Sequence, residues 1–298
     1  MIYVQLSAQL GNHMFQYAAA RVQAERLGTN VAIYSPFSEH AAVRNAISRF
    51  PNYQIFKEFP DLPFTYVDRG ISLYQAIFSG LFKINNPFFI KHRFYPSVSQ
   101  PFDNEGYDAD IWNIFDNTLL VGYFQSERYF IKYRSIILEN YKPSKALAME
   151  IEIIQKTLPV PPDEMVAVHV RLGDYLVQQG ELADPVTGWA LSENYYKRAL
   201  EEFHPKTPIA LFSNDMDRAR KLLPRNPAWE SPAISAGFDL HMMSSFKNLI
   251  IGNSTFSWWS AWLNQDPNKK IIGPEYNIGW RKKEWWPAGI EVKGWIYV

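Results

Sequence analysis

The sequence predicts a two-domain α/β protein. Three features carry that reading: short apolar runs alternating with helical periodicity, polar clusters where those runs end, and prolines at 159, 161 and 162 that separate 1–158 from 163–298. At 298 residues the chain is long enough for one large domain or two ordinary ones, and 47% hydrophobic against 20% charged residues supplies a sizeable core.

Residues 2–6 read as the opening strand. Gln9, Leu10, Gly11 and Asn12 then turn the chain, with Asn12 as the expected N-cap of a helix. Met14, Ala18 and Val22 recur every four residues, Phe15, Ala19 and Arg26 line the next row, and Leu27 closes the helix before Gly28. A second strand follows at 30–34. This opening lacks the three-glycine fingerprint of dinucleotide binding, so a nicotinamide site is rejected. His13 is expected to face solvent or a ligand, with a plain place in the capping region as the alternative.

Residues 41–100 are aromatic and proline-punctuated, with helices expected near 38–47 and 73–82; they shape a variable cleft wall or simply pack. A strand at 119–123 and helices over 127–133 and 146–158 complete the first half. Beyond the prolines the alternation is cleaner. A strand at 166–171 leads through a loop with Gly180, Asp184, Pro185 and Gly188 to Ser192, an N-cap, and a helix over 193–203. Then come a strand at 209–212, a short helix over 216–223, a helix over 239–246 capped by Gly237 or Phe238, a strand at 249–252, a helix ending at Leu263, a strand at 270–273 and an alternating tail at 290–298. This is a series of the parallel-sheet kind.

Composition excludes several classes. Formal net charge is zero, so no general attraction to nucleic acid or acidic lipid exists. The absence of cysteine removes disulfides, thiolate catalysis and cysteine-ligated metals. The first residues show no basic leader or cleavage pattern, and the longest apolar candidate, 71–84, is interrupted by polar residues. A soluble protein of a reducing compartment is expected.

Three strand exits carry polar groups: His169, Arg171 and Asp174; Ser213, Asn214 and Asp215; Asn253, Ser254 and Thr255. In a parallel sheet all three point to one edge, where α/β sheets place their chemistry. Arg171 offers a permanently charged planar fork for phosphate. Ser254, Thr255 and Ser257 offer hydroxyls beside a helix start expected near Phe256 or Ser257, whose unpaired N–H groups favour an anion. Asp215 accepts from a nucleoside's hydroxyls or ring N–H groups, or merely caps its helix. Trp258, Trp259 and Trp262 read as packing residues. No glycine–lysine phosphate loop is present, which argues against a P-loop enzyme. A nucleotide-sugar transferase fits such an anion site better, since Arg, hydroxyls and a helix terminus stabilise a diphosphate leaving group.

Four stretches also resemble one family. QLGNHMFQYAAA, HVRLGDY, FSND and IIGNSTFSWWSAWLN occur in the order in which the α-1,2-fucosyltransferases, glycosyltransferase family 11, carry similar motifs. The resemblance implies a GT-B-like arrangement, two Rossmann-like domains facing a central cleft, with the C-terminal one holding the donor. It further implies inverting transfer of L-fucose from GDP-β-L-fucose to the 2-hydroxyl of a terminal galactose, with no cofactor and no divalent metal. Carried onto this sequence, Arg171 would hold the diphosphate, His169 and Asp215 would approach the guanosine, Ser254 and Thr255 the phosphates, and Asn12 and His13 the sugar. Asn253 belongs to the same stretch. Asp174 and His13 are the candidates for receiving the acceptor proton, Asp174 having the alternative of bracing Arg171.

The sequence departs from the family pattern at several positions. Ala8 stands for a glycine, His13 for a glutamine, Leu172 for a second arginine, and Asn214 for an aspartate; Phe246 and Asn248 stand where Cys and His are common. With Leu172 there, either another basic group, Arg21 or Arg26, offsets the lost charge or diphosphate binding is weaker. The expected partners are GDP-fucose and a galactose-terminated glycan, not nucleic acid. The expected location is the cytoplasm, with room for peripheral association at the inner membrane face through the aromatic, basic segment 280–286.

Overall fold

The computed structural model describes residues 1–34, 53–67, 88–90, 93–95, 97–99, 106–178, 184 and 188–298. The helices expected near 38–47 and 73–82, and Gly180 and Pro185 of the expected loop, lie outside them. Two units result, Met1–Asn140 and Tyr141–Val298. The prolines at 159, 161 and 162 fall within the second unit, because the preceding helix packs there through Ile151.

The first unit is built on a parallel sheet. Strands β1 (Ile2–Gln5), β2 (Val31–Tyr34), β3 (Thr65–Val67), β6 (Ser97–Ser99) and β7 (Leu119–Val121) lie in the order β3-β2-β1-β7-β6, while β4 (Phe88–Ile90) pairs antiparallel with β5 (Arg93–Tyr95). Helix α1 (Leu10–Arg26) connects β1 to β2 and buries Met14, Phe15, Ala18, Ala19 and Val22 of the expected rows, while Arg26 is only half-buried. It starts earlier than expected. Gln9, not Asn12, is the N-cap, and Asn12 sits in the first turn. The reason is tertiary: the otherwise orphaned Leu10 N–H donates to Gln54 Oε1 at 3.0 Å, from helix α2 (Gln54–Glu58). The helix expected over 127–133 is instead a pair of 3-10 turns that lead into α3 (Arg134–Asn140).

The second unit opens with α4 (Lys145–Gln155) and carries β8 (Val166–Val170), β9 (Ile209–Ser213), β10 (Trp229–Glu230), β11 (Asn248–Ile250), β12 (Lys270–Gly273) and β13 (Ile296–Tyr297). They form one parallel sheet, in the order β10-β9-β8-β11-β12-β13. The pleat sorts β8 by parity. Val166, Val168, Val170 and Leu172 join one core, with Tyr195, Tyr196, Ala199 and Leu200 of α5 (Glu193–Glu201). Ala167 joins the opposite core, with Phe238, Met242 and Met243 of α7 (Ala236–Ser244) and Ala261 of α8 (Thr255–Leu263). Both faces are therefore covered, which is why these strands read as near-continuous apolar runs. Between β9 and β10 lies α6 (Met216–Lys221).

Helix starts moved again. Ser235, not Gly237 or Phe238, caps α7, its hydroxyl accepting the Phe238 N–H at 3.0 Å. Trp258, Trp259 and Trp262 are buried, as the packing reading expects; the Trp258 indole donates to the Ile290 carbonyl at 2.8 Å.

Candidate active site

Sheet order locates the site. From β8 the chain moves outward through β9 and β10, then returns to β8's other side and moves out through β11, β12 and β13. The order reverses between β8 and β11, and the crevice beyond the carboxyl ends at such a reversal is where open α/β sheets bind ligands. Arg171 leaves β8 on one side of this point; Gly252, Asn253 and Ser254 leave β11 on the other.

Arg171 is held from two directions. Its Nη2 lies 2.6 Å from Asp174 Oδ1, and its guanidinium carbon sits 5.4 Å from the centroid of the Tyr175 ring. Asp174 thus braces Arg171. Tyr175 reaches across the reversal: its hydroxyl donates to the Asn253 carbonyl at 3.2 Å and shares a side-chain hydrogen bond with Ser254. Burial raises that phenol to about 12, so it remains a donor. Trp189 meets Tyr175 edge to face at 5.7 Å and accepts, through its carbonyl, the Asn253 amide at 2.7 Å. The two exits are therefore clasped by Tyr175, Trp189 and Asn253. Gly188 permits this, because a Cβ there would lie 2.1 Å from the Tyr175 carbonyl oxygen.

Ser254 caps α8, accepting the Phe256 N–H at 3.3 Å, and Thr255 is the first helical residue, half-buried. The helix therefore begins earlier than Phe256. Ser257 leaves the candidate set: it is fully buried, and its hydroxyl donates into the backbone, to the Gly252 and Ser254 carbonyls. Asn253 is 2% exposed; its amide nitrogen is used by Trp189, while among the described residues its Oδ1 has no hydrogen-bond partner.

His169 lies one position into β8, against Phe256 at 5.7 Å and against Gly252, where a Cβ would come within 3.4 Å of Nδ1. Burial first, and the charge of Arg171 second, lower its pKa to about 3. The ring is neutral, and its buried Nδ1 has no partner among the described residues.

The β9 exit joins the same edge. Asn214 Oδ1 accepts the Leu172 N–H at 2.9 Å, and Gly173, at φ +62°, closes the turn where a Cβ would lie 2.5 Å from Asn214 Nδ2. Asp215 caps α6, accepting the Arg218 N–H at 3.2 Å, with the Arg218 guanidinium 3.6 Å away. Leu172 is 3% exposed within the apolar core, so its side chain faces away from Arg171's side of the strand. Within the first unit Arg21 pairs with Glu25 at 2.9 Å, and Arg26 donates to Gln23 and to the Ile114 carbonyl.

The first unit has its own reversal, between β1 and β7. Asn12 Oδ1 accepts from Gln125 Nε2 at 2.6 Å there, and Gln16 donates to the Gly122 carbonyl at 2.9 Å. His13 is 2% exposed and packs edge-on to Tyr53 at 5.3 Å, so it does not face solvent. Burial lowers its pKa to about 4, the Ala8 backbone opposing, so the imidazole is neutral. Tyr175 and Trp189 escaped the sequence reading. Tyr175 directly follows Asp174, and a polar-tipped aromatic at a strand exit was the available signal.

Residues 94–298 match the sequence profile of Glycosyl transferase family 11. The chain is similar to the O-antigen biosynthesis glycosyltransferase WbnK of Escherichia coli, at 26% identity over 292 residues, covering 92% of this chain and 93% of that one. It is also similar to an alpha-1,2-colitosyltransferase of Escherichia coli, at 24% identity over 280 residues, covering 88% and 87%. Among solved structures, the NodZ alpha-1,6-fucosyltransferase of Bradyrhizobium, soaked with GDP-fucose, aligns with 88% of this chain and 92% of its own, at 15% identity and a TM-score of 0.45.

Proposed function

As the chain belongs to glycosyltransferase family 11, we propose that it transfers L-fucose from GDP-β-L-fucose to the 2-hydroxyl of a terminal galactose, inverting the anomeric centre without a divalent metal. The observation that carries this reading is the convergence of Arg171 and the Ser254-capped start of α8 on the two sides of the strand-order reversal. As the sugar–phosphate bond breaks, negative charge grows on the departing GDP. A guanidinium fork and the N–H groups of a helix's first turn stabilise that charge more in the transition state than in the bound substrate. Asp174 holds Arg171 in place before the diphosphate arrives and yields to it as ligand. His169 and Asp215 stand at the edge where a guanosine would lie, His169 as a neutral ring that offers one donor and one acceptor. We assign Asn12 and His13 to binding of the sugar, and His13 offers a basic nitrogen only to a group that reaches its buried ring.

The acceptor we propose is a galactose-terminated unit of a surface polysaccharide, in keeping with the relative named for O-antigen biosynthesis. The donor pool for that chemistry is cytoplasmic. A second reading, transfer of a different sugar in the same linkage, is favoured by the relative named for colitose. The test is incubation with GDP-fucose and other GDP-sugars against a panel of galactose-terminated acceptors, with linkage analysis of the products. Consumption of GDP-fucose with a new α-1,2 linkage is expected; consumption of another GDP-sugar alone would replace the first reading by the second.

A further inference from the structure

The strand after the reversal, β11, has β12 as its outer neighbour. β12 is the parallel partner of β11, so the loop that follows it, 274–287, rises at the same carboxyl edge as Ser254. The adjacency is physical as well as topological: Pro274, Asn277 and Trp285 line a small cavity together with Gly252 and Ser254.

This loop is stiff. Asn277 Nδ2 donates to the Trp286 carbonyl at 2.8 Å, Gly279 N–H to the Tyr276 carbonyl at 2.8 Å, and Lys282 N–H to the Gly279 carbonyl at 3.0 Å. A Cβ on Gly279 would lie 1.9 Å from the Glu284 carbonyl oxygen, so the loop folds tightly onto itself. Trp285 is wedged between Tyr276 and Tyr297. At the tip stand Arg281, Lys282 and Lys283, all exposed, the sequence's one run of three consecutive lysine or arginine residues. Glu275 and Glu284 are the loop's acidic residues and leave it net positive.

Trp280 directly precedes the tip. Its ring packs against the core that contains Leu172 and flanks Tyr175. Its indole Nε1 is buried and, among the described residues, has no hydrogen-bond partner. Buried indole N–H groups ordinarily find an acceptor, and the described residues leave this one open to a ligand oxygen. A neutral donor and three cations on one rigid loop, beside a serine at a helix start, suit a multiply charged oxyanion.

We propose that the 274–287 loop is a second anion-binding arm of the donor site, with Trp280 and the Arg281–Lys283 tip holding the diphosphate from the side opposite Arg171. In this chain it supplies the positive charge that Leu172 does not. The inference rests on the GDP-sugar reading above.

Titration of GDP and of guanosine into the wild type, the triple variant Arg281→Gln/Lys282→Gln/Lys283→Gln and the variant Trp280→Phe tests it. The tip side chains are exposed, so the triple variant should melt like the wild type. Its GDP affinity should fall about tenfold at low salt, with a shallower salt dependence, while guanosine binding is unchanged. Trp280→Phe keeps the ring and loses the N–H; its GDP affinity should fall a few-fold at every salt concentration, since a neutral donor is not screened. GDP binding equal to wild type in both variants overturns the inference. So does a triple variant that loses only sedimentation with phosphatidylglycerol vesicles, which would assign the tip to a lipid surface. If the wild type itself binds no GDP, the donor reading falls, and this inference with it.

Discussion

Arg171 concentrates the residue-scale argument, because three of its properties act together: a fixed charge, a planar fork and a flat face lying over Tyr175. Lysine reproduces only the first. Arg171→Lys is therefore expected to lower kcat/KM for the sugar donor by about 100-fold, in the range found for removing one transition-state donor, and Arg171→Ala by more. Both should retain the wild-type circular dichroism spectrum, since the side chain belongs to neither apolar core of its unit. The partner gives the opposite sign. Asp174 occupies Nη2 at 2.6 Å with an oxygen that a phosphate would replace. In Asp174→Asn the competing charge is gone, so GDP should bind a few-fold more tightly with kcat nearly retained. Steady-state kinetics beside GDP titration reads both quantities; a collapse of kcat in Asp174→Asn would return this carboxylate to the role of proton acceptor.

At the scale of elements, capping and ligand binding compete for the same atoms, and α6 shows how to separate them. Asp215 caps α6 through Oδ1. Asparagine caps helices about as well, so Asp215→Asn should change stability by no more than about 0.5 kcal/mol. If its negative charge also accepts N–H groups from a guanosine, GDP affinity falls about tenfold while the melting temperature stays in place. Unchanged affinity would leave Asp215 a cap alone. The same competition explains what was legible in the sequence. The residues leaving β8, β9 and β11 could be read because each strand is a short apolar run that stops abruptly at polar groups. Which exits are neighbours could not, because the order β9-β8-β11 is set by helices packing on both faces rather than by any local signal. Helix starts failed for a related reason. Asn12 is a good cap by type, yet Gln54, distant in sequence, satisfies the Leu10 N–H and lets α1 start earlier. The Ser257 hydroxyl turns back to its own turn of backbone, which composition does not reveal.

For the molecule as a whole, buried ionisable groups set how stability responds to acid. His13 and His241 have pKa values lowered to about 4 and His169 to about 3, in each case chiefly by burial. A histidine whose folded pKa lies below its unfolded value of about 6.5 binds its proton more readily in the unfolded chain. Its stabilising contribution is therefore complete above that value and is lost as pH falls toward the folded pKa, by about 1 kcal/mol per pH unit. Asp239, in α7 beside Ser231, has the reverse sign: burial raises it to about 6, so protonation favours the folded state as pH falls below 6. Among the described residues, the histidines with lowered values are His13 in the first unit and His169 and His241 in the second, where Asp239 opposes them. Between pH 6.5 and pH 6 the second unit should lose stability about twice as steeply as the first. Between pH 6 and pH 4 the Asp239 carboxyl cancels roughly one histidine, and the two slopes should converge. Denaturant titrations from pH 7.5 to pH 4.5, read through a probe specific to each unit, measure these slopes. His241→Gln, which cannot charge, should flatten the second unit's slope between pH 6.5 and pH 6 by about half, whatever its effect on stability at pH 7.5. Below pH 6 it should leave that unit almost independent of pH, because His169 and Asp239 then oppose each other, and a slope that stays steep in this variant would mean that the acid response lies elsewhere.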